Sequence, residues 1–353
     1  MAKNDNLKDF LVDVADAIRE KEGSSEPINP QEFSDRIRAI QGGGGNENLY
    51  GYTGHADEEG LRAIGWDDDD IEYFKQHGIK WNEDEDDLYK VSDDNKALYG
   101  VLTAENIQDY KDRIVYLPKI NLSVLKSITA LFKECVNMIG VPLLNTKGFP
   151  AMTNMFHTCR SLTYIPPMDT SSVTAMGNFC YSCYSLTDLP MLDTSKVIDF
   201  SGAFFGCYSL RKMPPWDFGA ATTTYRTFYG AASLTDLPDL NLISLVSGGR
   251  TCYNCYCLKN VGQVNFGPSA TLSEFFYLNA ALTDISIVGL SSSISFAESP
   301  LLNKDSLKIA IDLSYNVNNI VITLHPYAYQ RLVEDADIVA SLSEHPNVTL
   351  ASA

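Results

Sequence analysis

The strongest constraint on this chain is a spacing of 24 that persists through more than half of its 353 residues. Cys135, Cys159, Cys183, Cys207 and Cys255 stand at multiples of 24, and Ala231 and Asn279 fill the same phase. Three residues later comes an apolar column: Ile114, Met138, Leu162, Leu186, Leu210, Leu234, Leu258 and Leu282. Three later again comes a second: Leu117, Val141, Ile165, Leu189, Met213, Leu237, Val261 and Ile285, followed by prolines from Pro118 to Pro238. A third inward column runs from Ile120 through Leu144, Met168, Leu192, Trp216, Leu240 and Val264 to Val288. One such unit is too small to bury its own apolar residues, so each must be covered by the next.

A period in the range of about 20–29 residues with regular leucines predicts a leucine-rich-repeat solenoid. The fold class expected is α+β: small N-terminal helical modules, then a solenoid of 24-residue period, then a C-terminal α/β cap. Each rung is expected to hold a strand-like piece, a proline corner and an Asx turn, and to close with a turn or short helical segment. The Asx column is Asn121, Asn145, Asp169, Asp193, Asp217, Asn241 and Asn265. Such side chains bond nearby backbone N–H groups and fix a turn. The closing segment carries Phe132, Phe156, Phe204, Phe228 and Phe276, with Cys180 and Cys252 in the same phase.

Before the repeats lie three different segments. Residues 1–41 predict a helical hairpin with Leu7, Phe10, Leu11, Val14 and Ile18 on one face and Phe33, Ile37 and Ile40 on another. Neither stripe is large enough to bury itself, so the hairpin is a candidate docking module. Residues 42–49 begin with four glycines and predict a flexible linker. Residues 50–112 predict an acidic helical domain with helices at 57–63, 68–76, 84–90 and 104–110, acids crowding their N-terminal ends where the helix dipole favours them. The acidic run 82–87 lacks the glycine and the final glutamate of a calcium loop. The solenoid is expected over 113–312, and a cap over 313–353 with strands at 321–324 and 348–350 and a helix at 327–342. The phase slips after Leu282, where a solenoid needs an atypical unit to cover its open end.

The net charge is −18, and residues 1–112 carry 28 acids against 12 bases while the rest carries 17 against 15. Binding to nucleic acid needs a basic stripe, so it is not expected. No apolar run reaches the length that spans a bilayer, and no secretory signal pattern stands at the front, so no membrane insertion is expected. Cysteines that alternate with Phe and Ala predict reduced, buried thiols rather than disulfides. Cys180-x-x-Cys183 and Cys252-x-x-Cys255 resemble zinc half-sites, but they are three periods apart, about 15 Å at a strand spacing, too far for one tetrahedral ion. The five histidines are scattered, and no carboxylate pair or phosphate loop stands out. The expectation is a non-enzymatic protein without cofactor or metal.

The candidate binding feature is aromatic. His157, Tyr181, Phe205, Tyr229, Tyr253 and Tyr277 precede the cysteine phase by two, and Tyr184, Tyr208 and Tyr256 follow it by one. Facing solvent, they form a ladder suited to a glycan or a protein partner. Stacked on one another, they shield the core instead. Exposure of Tyr229 and Tyr253 above one half favours the first reading, and complete burial the second.

Ser161-Leu-Thr-Tyr-Ile-Pro-Pro-Met-Asp-Thr-Ser-Ser-Val173 and Ser185-Leu-Thr-Asp-Leu-Pro-Met-Leu-Asp-Thr-Ser-Lys-Val197 resemble BspA-like leucine-rich repeats. These occur in surface and adhesion proteins of Bacteroides-type bacteria and in some of their phages. The likeness covers about 113–290, and the Thr-Ser-x-Val signature is lost after 218. At the front, Ala17-Ile-Arg-Glu-Lys-Glu-Gly23 and the helix after Ile28-Asn-Pro30 are similar to N-terminal segments of phage tail and fibre proteins. The two resemblances imply a virion structural protein, a tail or fibre component of a gut-Bacteroidales phage made in the host cytoplasm. It would be anchored to other virion proteins by its N-terminus, homo-oligomeric in the particle, and would display its repeats to a host-surface glycan or protein. A bacterial BspA-like surface adhesin is the alternative.

Overall fold

The structure, a computed structural model, describes residues 58, 62, 66–76, 107, 108, 111, 114, 117, 122, 125–316 and 319–353. The docking hairpin with Leu7, Phe10, Leu11, Val14, Ile18, Phe33, Ile37 and Ile40 lies outside them, as do the glycine linker, the run 82–87, the helix expected at 84–90, Pro118, Ile120 and Asn121. The chain divides into two compact units, Met1–Lys96 and Ala97–Ala353.

In the first unit, helix α1 (Asp68–Gln76) has the bounds that the sequence suggested. Asp67 and Asp70 cap it reciprocally. The Asp70 N–H donates to Asp67 Oδ1 at 3.0 Å and the Asp67 N–H to Asp70 Oδ2 at 3.3 Å, so two otherwise orphaned donors are satisfied. Arg62 pairs with Glu58 at 3.1 Å and with Asp68 at 2.8 Å.

The second unit begins earlier than the expected boundary at 112/113. Helical residues Ile107 and Gln108 belong to it. Gln108 Nε2 donates to the Lys133 carbonyl at 2.8 Å, and Lys111 Nζ meets Glu134 at 2.7 Å, while Ile107, Ile114 and Leu117 are fully buried. Of the helical segment expected at 104–110, the described residues Ile107 and Gln108 thus belong with the first repeat.

From residue 125 to residue 303 the described backbone holds strand, turn and coil but no helix. Successive segments pair in parallel at an offset of 24: Ala151 with Ala175, Ala175 with Asp199, Asp199 with Thr223, Thr223 with Ser247 and Ser247 with Thr271. We call each 24-residue segment a rung. The eight residues of the first apolar column, Ile114 to Leu282, are all fully buried. In the second column Leu189 alone is half-buried. The pairing grows into continuous strands only late, as β1 (Asp236–Leu237), β2 (Leu240–Leu242), β3 (Asn260–Phe266) and β4 (Asp284–Val288). β1 and β2 share one edge of β3, and β4 takes the other, all parallel.

The segment that closes each rung is a turn ribbon with two left-handed residues four apart. They are Ala130 and Glu134, Asn154 and Thr158, Asn178 and Ser182, Gly202 and Gly206, Arg226 and Gly230, Arg250 and Asn254, and Glu274 and Leu278. Alternate amides cross to the following rung, as in Phe156 N–H to Phe179 O at 2.8 Å and Thr158 N–H to Tyr181 O at 2.6 Å. The others close local turns, such as Cys159 N–H to Phe156 O at 3.1 Å. Most backbone donors of the tightly packed ribbon are thereby used.

The cysteine column does more than fill space. The thiols of Cys159, Cys183, Cys207 and Cys255 donate to the carbonyls of Phe132, Phe156, Cys180 and Phe228, 2.9–3.1 Å away on the preceding rung. Asn279, in the same phase, donates from Nδ2 to Cys252 O at 2.9 Å and accepts from Cys255 N–H at 2.9 Å. Seven of the eight free thiols are buried, and Cys257 is exposed, which corrects the expectation of uniformly buried thiols. Cys257 follows the cysteine phase by two and belongs to a column of serines, Ser161 to Ser233.

The chain then changes its unit. β5 (Ile294–Phe296), β6 (Ile320–Leu324) and β7 (Val348–Ser352) form a separate parallel sheet. Ile294 faces Ile322 and Ile322 faces Leu350, an offset of 28. The extra length carries helices: α2 (Lys304–Asp312) between β5 and β6, then α3 (Pro326–Leu332) and α4 (Ala336–Glu344) between β6 and β7. Hence the boundary expected at 312/313 falls inside this terminal block, and the single helix expected at 327–342 is two. Asp335 divides them, because its side chain accepts from the Asp337 N–H at 3.0 Å and starts a new helix.

Candidate aromatic face

In a parallel stack, side chains of one phase lie one rung apart, close to the distance at which aromatic rings stack. The inner aromatic column uses this fully. His157 and Tyr181 have centroids 4.8 Å apart, Tyr181 and Phe205 4.4 Å, Phe205 and Tyr229 4.7 Å, and Tyr229 and Tyr253 4.6 Å, all within 11° of parallel. Tyr277 follows at 5.3 Å, tilted by 35°. All six rings are half-buried. Tyr229 and Tyr253 therefore meet neither of the two outcomes set out from the sequence. Their faces cover one another and their edges point outward, so a flat ligand cannot lie on them.

The second column differs. Tyr184 stacks on Tyr208 at 4.9 Å, and the Arg160 guanidinium lies 5.6 Å from the Tyr184 centroid on the rung before. Tyr208 is 50% exposed and Tyr256 52%. Between them the phase is held by Ala232, so no ring bridges the two.

Cations line the inner column. The guanidinium of Arg226 lies 4.8 Å from the Tyr225 ring and 5.8 Å from Tyr229, and that of Arg250 lies 5.7 Å from Tyr253. Arg250 also pairs with Glu274 on the next rung. The sequence reading passed over Arg160, Arg226, Arg250, Glu274 and the exposed Tyr225. Arg226 and Arg250 are themselves 24 apart, each three residues before a ring, and that spacing was the available signal.

Burial in the stack, with the Tyr229 hydroxyl and Glu274 nearby, raises the Tyr253 phenol above its usual range. At the other end, burial and then Lys133 lower His157, while Glu134 opposes them. Thr158 Oγ1 lies 2.8 Å from His157 Nδ1. Burial pushes the Cys255 thiol up to about 12 and raises Cys159, Cys180, Cys207 and Cys252 as well, so these thiols stay protonated. Among the described residues no three His, Cys, Asp or Glu side chains gather as metal ligands.

Comparison with known proteins gives one family. A family described as "Mycoplasma protein of unknown function, DUF285" matches residues 126–242, about a third of the chain. The chain is similar to that family over the early rungs, up to the end of β2. No curated protein matches it.

Proposed function

We propose that the chain is a non-enzymatic display scaffold, a leucine-rich-repeat solenoid carried as a structural component of a phage tail or fibre. In this reading residues 1–41 dock on other virion proteins, and the rungs present the aromatic face to a host-surface molecule or a neighbouring subunit. The observation that carries the display part is the pair of columns: rings and cations are repeated rung by rung on one rigid stack, with Tyr208 and Tyr256 half exposed. The virion part rests on the resemblance of the N-terminal segment alone.

A second reading, a bacterial surface adhesin of the same repeat type, draws on the similarity to a family described from Mycoplasma. One experiment separates them. Deleting residues 1–45 should abolish incorporation into particles while the circular-dichroism melt of the remaining chain stays cooperative. Normal incorporation of the truncated protein removes the anchor, and detection on intact cells in the absence of phage genes favours the adhesin.

A further inference from the structure

From Arg160 to Tyr256 the outer column carries a planar group at every rung except Ala232. Rings on adjacent rungs lie 4.4–5.3 Å apart. Tyr208 and Tyr256 are two rungs apart, so they bracket a slot roughly two strand spacings deep, room for one planar group stacked on both. Gly230 beside Ala232 is left-handed at φ 74°, and a Cβ there would stand 3.7 Å from the Tyr208 ring, so that ring lies against the backbone at one wall of the slot.

A second observation concerns the backbone. Along this column Ser185 N–H donates to Arg160 O at 3.1 Å, Ser209 to Tyr184 at 3.2 Å and Ser233 to Tyr208 at 3.1 Å. Among the described residues the ladder does not continue from Cys257 to Ala232. The Ala232 carbonyl is left as an acceptor at the slot. The chain itself supplies the third observation: where this column meets a tyrosine face at its start, the group laid over it is the Arg160 guanidinium.

We propose that the slot takes the guanidinium of an arginine side chain from a partner polypeptide, held between Tyr208 and Tyr256 and donating an N–H to the Ala232 carbonyl. A guanidinium is planar on both sides, carries only donors and stacks on aromatic faces. A pyranose is thicker and needs donors at its rim as well as acceptors. This names what the displayed face binds and so rests on the display reading, but its test is made in solution and is independent of incorporation into particles.

The test titrates the full ¹⁵N-labelled chain with acetyl-Gly-Arg-Gly-amide, its lysine counterpart and maltotriose, following the Ala232 and Cys257 amides. The arginine peptide should shift both, several-fold more tightly than the lysine peptide. Ala232→Tyr, which continues the column with the ring found on either side, and Tyr256→Ala should each weaken binding about tenfold. Tyr327→Ala, at an exposed tyrosine of α3 outside both columns, should leave it unchanged. Should Ala232→Tyr fail to fold, Tyr208→Ala, at a half-exposed ring, replaces it. Absence of binding by the arginine peptide, equal binding of the lysine peptide, indifference to these substitutions, or binding of maltotriose alone would each overturn the proposal.

Discussion

Residues 126–218 and residues 236–266 keep the same spacing of 24 but hold their corners by different means. In the early rungs the corner belongs to side chains. Asp169 Oδ1 accepts from the Ser171 N–H at 3.1 Å and its hydroxyl at 2.6 Å, Asp193 does the same for Ser195 at 3.1 and 2.7 Å, and Asp217 accepts from the Gly219 N–H at 2.7 Å. Thr146 and Thr194 then tie each corner to the next through the carbonyls of Asp169 and Asp217 at 2.8 Å. In the late rungs the backbone does this work: Leu240, Asn241 and Leu242 pair with Val264, Asn265 and Phe266, and β3 pairs onward with β4. One period therefore accommodates two solutions to the same requirement, that buried backbone groups find partners. The Asp-Thr-Ser-x-Val signature marks the first solution, and its loss after residue 218 marks the passage to the second.

Four tests probe this contrast, in descending order of effect. The largest lies in the cysteine phase. Asn279→Ala leaves both the Cys252 carbonyl and the Cys255 N–H without a partner and should cost about 3 kcal/mol, whereas Cys183→Ala removes one weak donor and should cost about 1 kcal/mol. Chemical denaturation gives both values, and equal costs would mean that the column works by packing alone.

Next comes the corner itself. Asp193→Ala should lower the melting temperature by on the order of 3 °C, because its carboxylate holds two donors of Ser195, while Asn241→Ala in β2 should change it by less than half as much. If the two shifts match in a thermal melt, side chains do not hold the early corners.

The third test runs the other way. Ser182 is left-handed at φ 58°, and the following rungs place Gly206 and Gly230 in its phase. Ser182→Gly should stabilise by about 0.5 kcal/mol and Gly230→Ser should destabilise similarly, since a Cβ is penalised in that conformation. A stability loss in Ser182→Gly would show that the ribbon is not strained.

The smallest effect is the pH response of the first ring. His157 is held below its ordinary value by burial, then by Lys133, with Glu134 opposing and Tyr181 stacked on it. Between the ordinary value near 6.5 and the lowered one, the unfolded chain binds the extra proton, so stability is full above 6.5 and falls as pH drops through that window. His157→Phe should remove this contribution, about 1 °C of the melting-temperature loss between pH 7.5 and pH 5. An unchanged profile would assign the acid sensitivity to other groups.

As far as Leu282 the sequence by itself determined which residues face inward and how far apart their copies lie, because burial in a stack must repeat with the chain's own period. Ile114 to Leu282, the Asx corners from Asn145 to Asp217 and the alignment of the rings were all legible for that reason. Beyond Leu282 it is Ile287, not the expected Val288, that is buried, since the register of β4 on β3 shifts after Val261. The bounds of α1 followed from local capping chemistry in the same way. Other features depend on what each residue meets across a rung, which spacing does not encode. The paired left-handed turns are one, since Ala130, Arg226 and Leu278 carry no local preference for them. The thiols' role as donors is another, because their acceptors stand 27 residues earlier in the chain. The slip after Leu282 was legible, but its size, an offset of 28, was not, because it is set by the helices that lengthen the terminal units. Only the tertiary structure decided which aromatic faces are covered. Tyr229 lost both of its faces to neighbours, while Tyr208 has a ring on one side only and Tyr256 on neither, because Ala232 and Ala280 hold the adjacent positions of their phase.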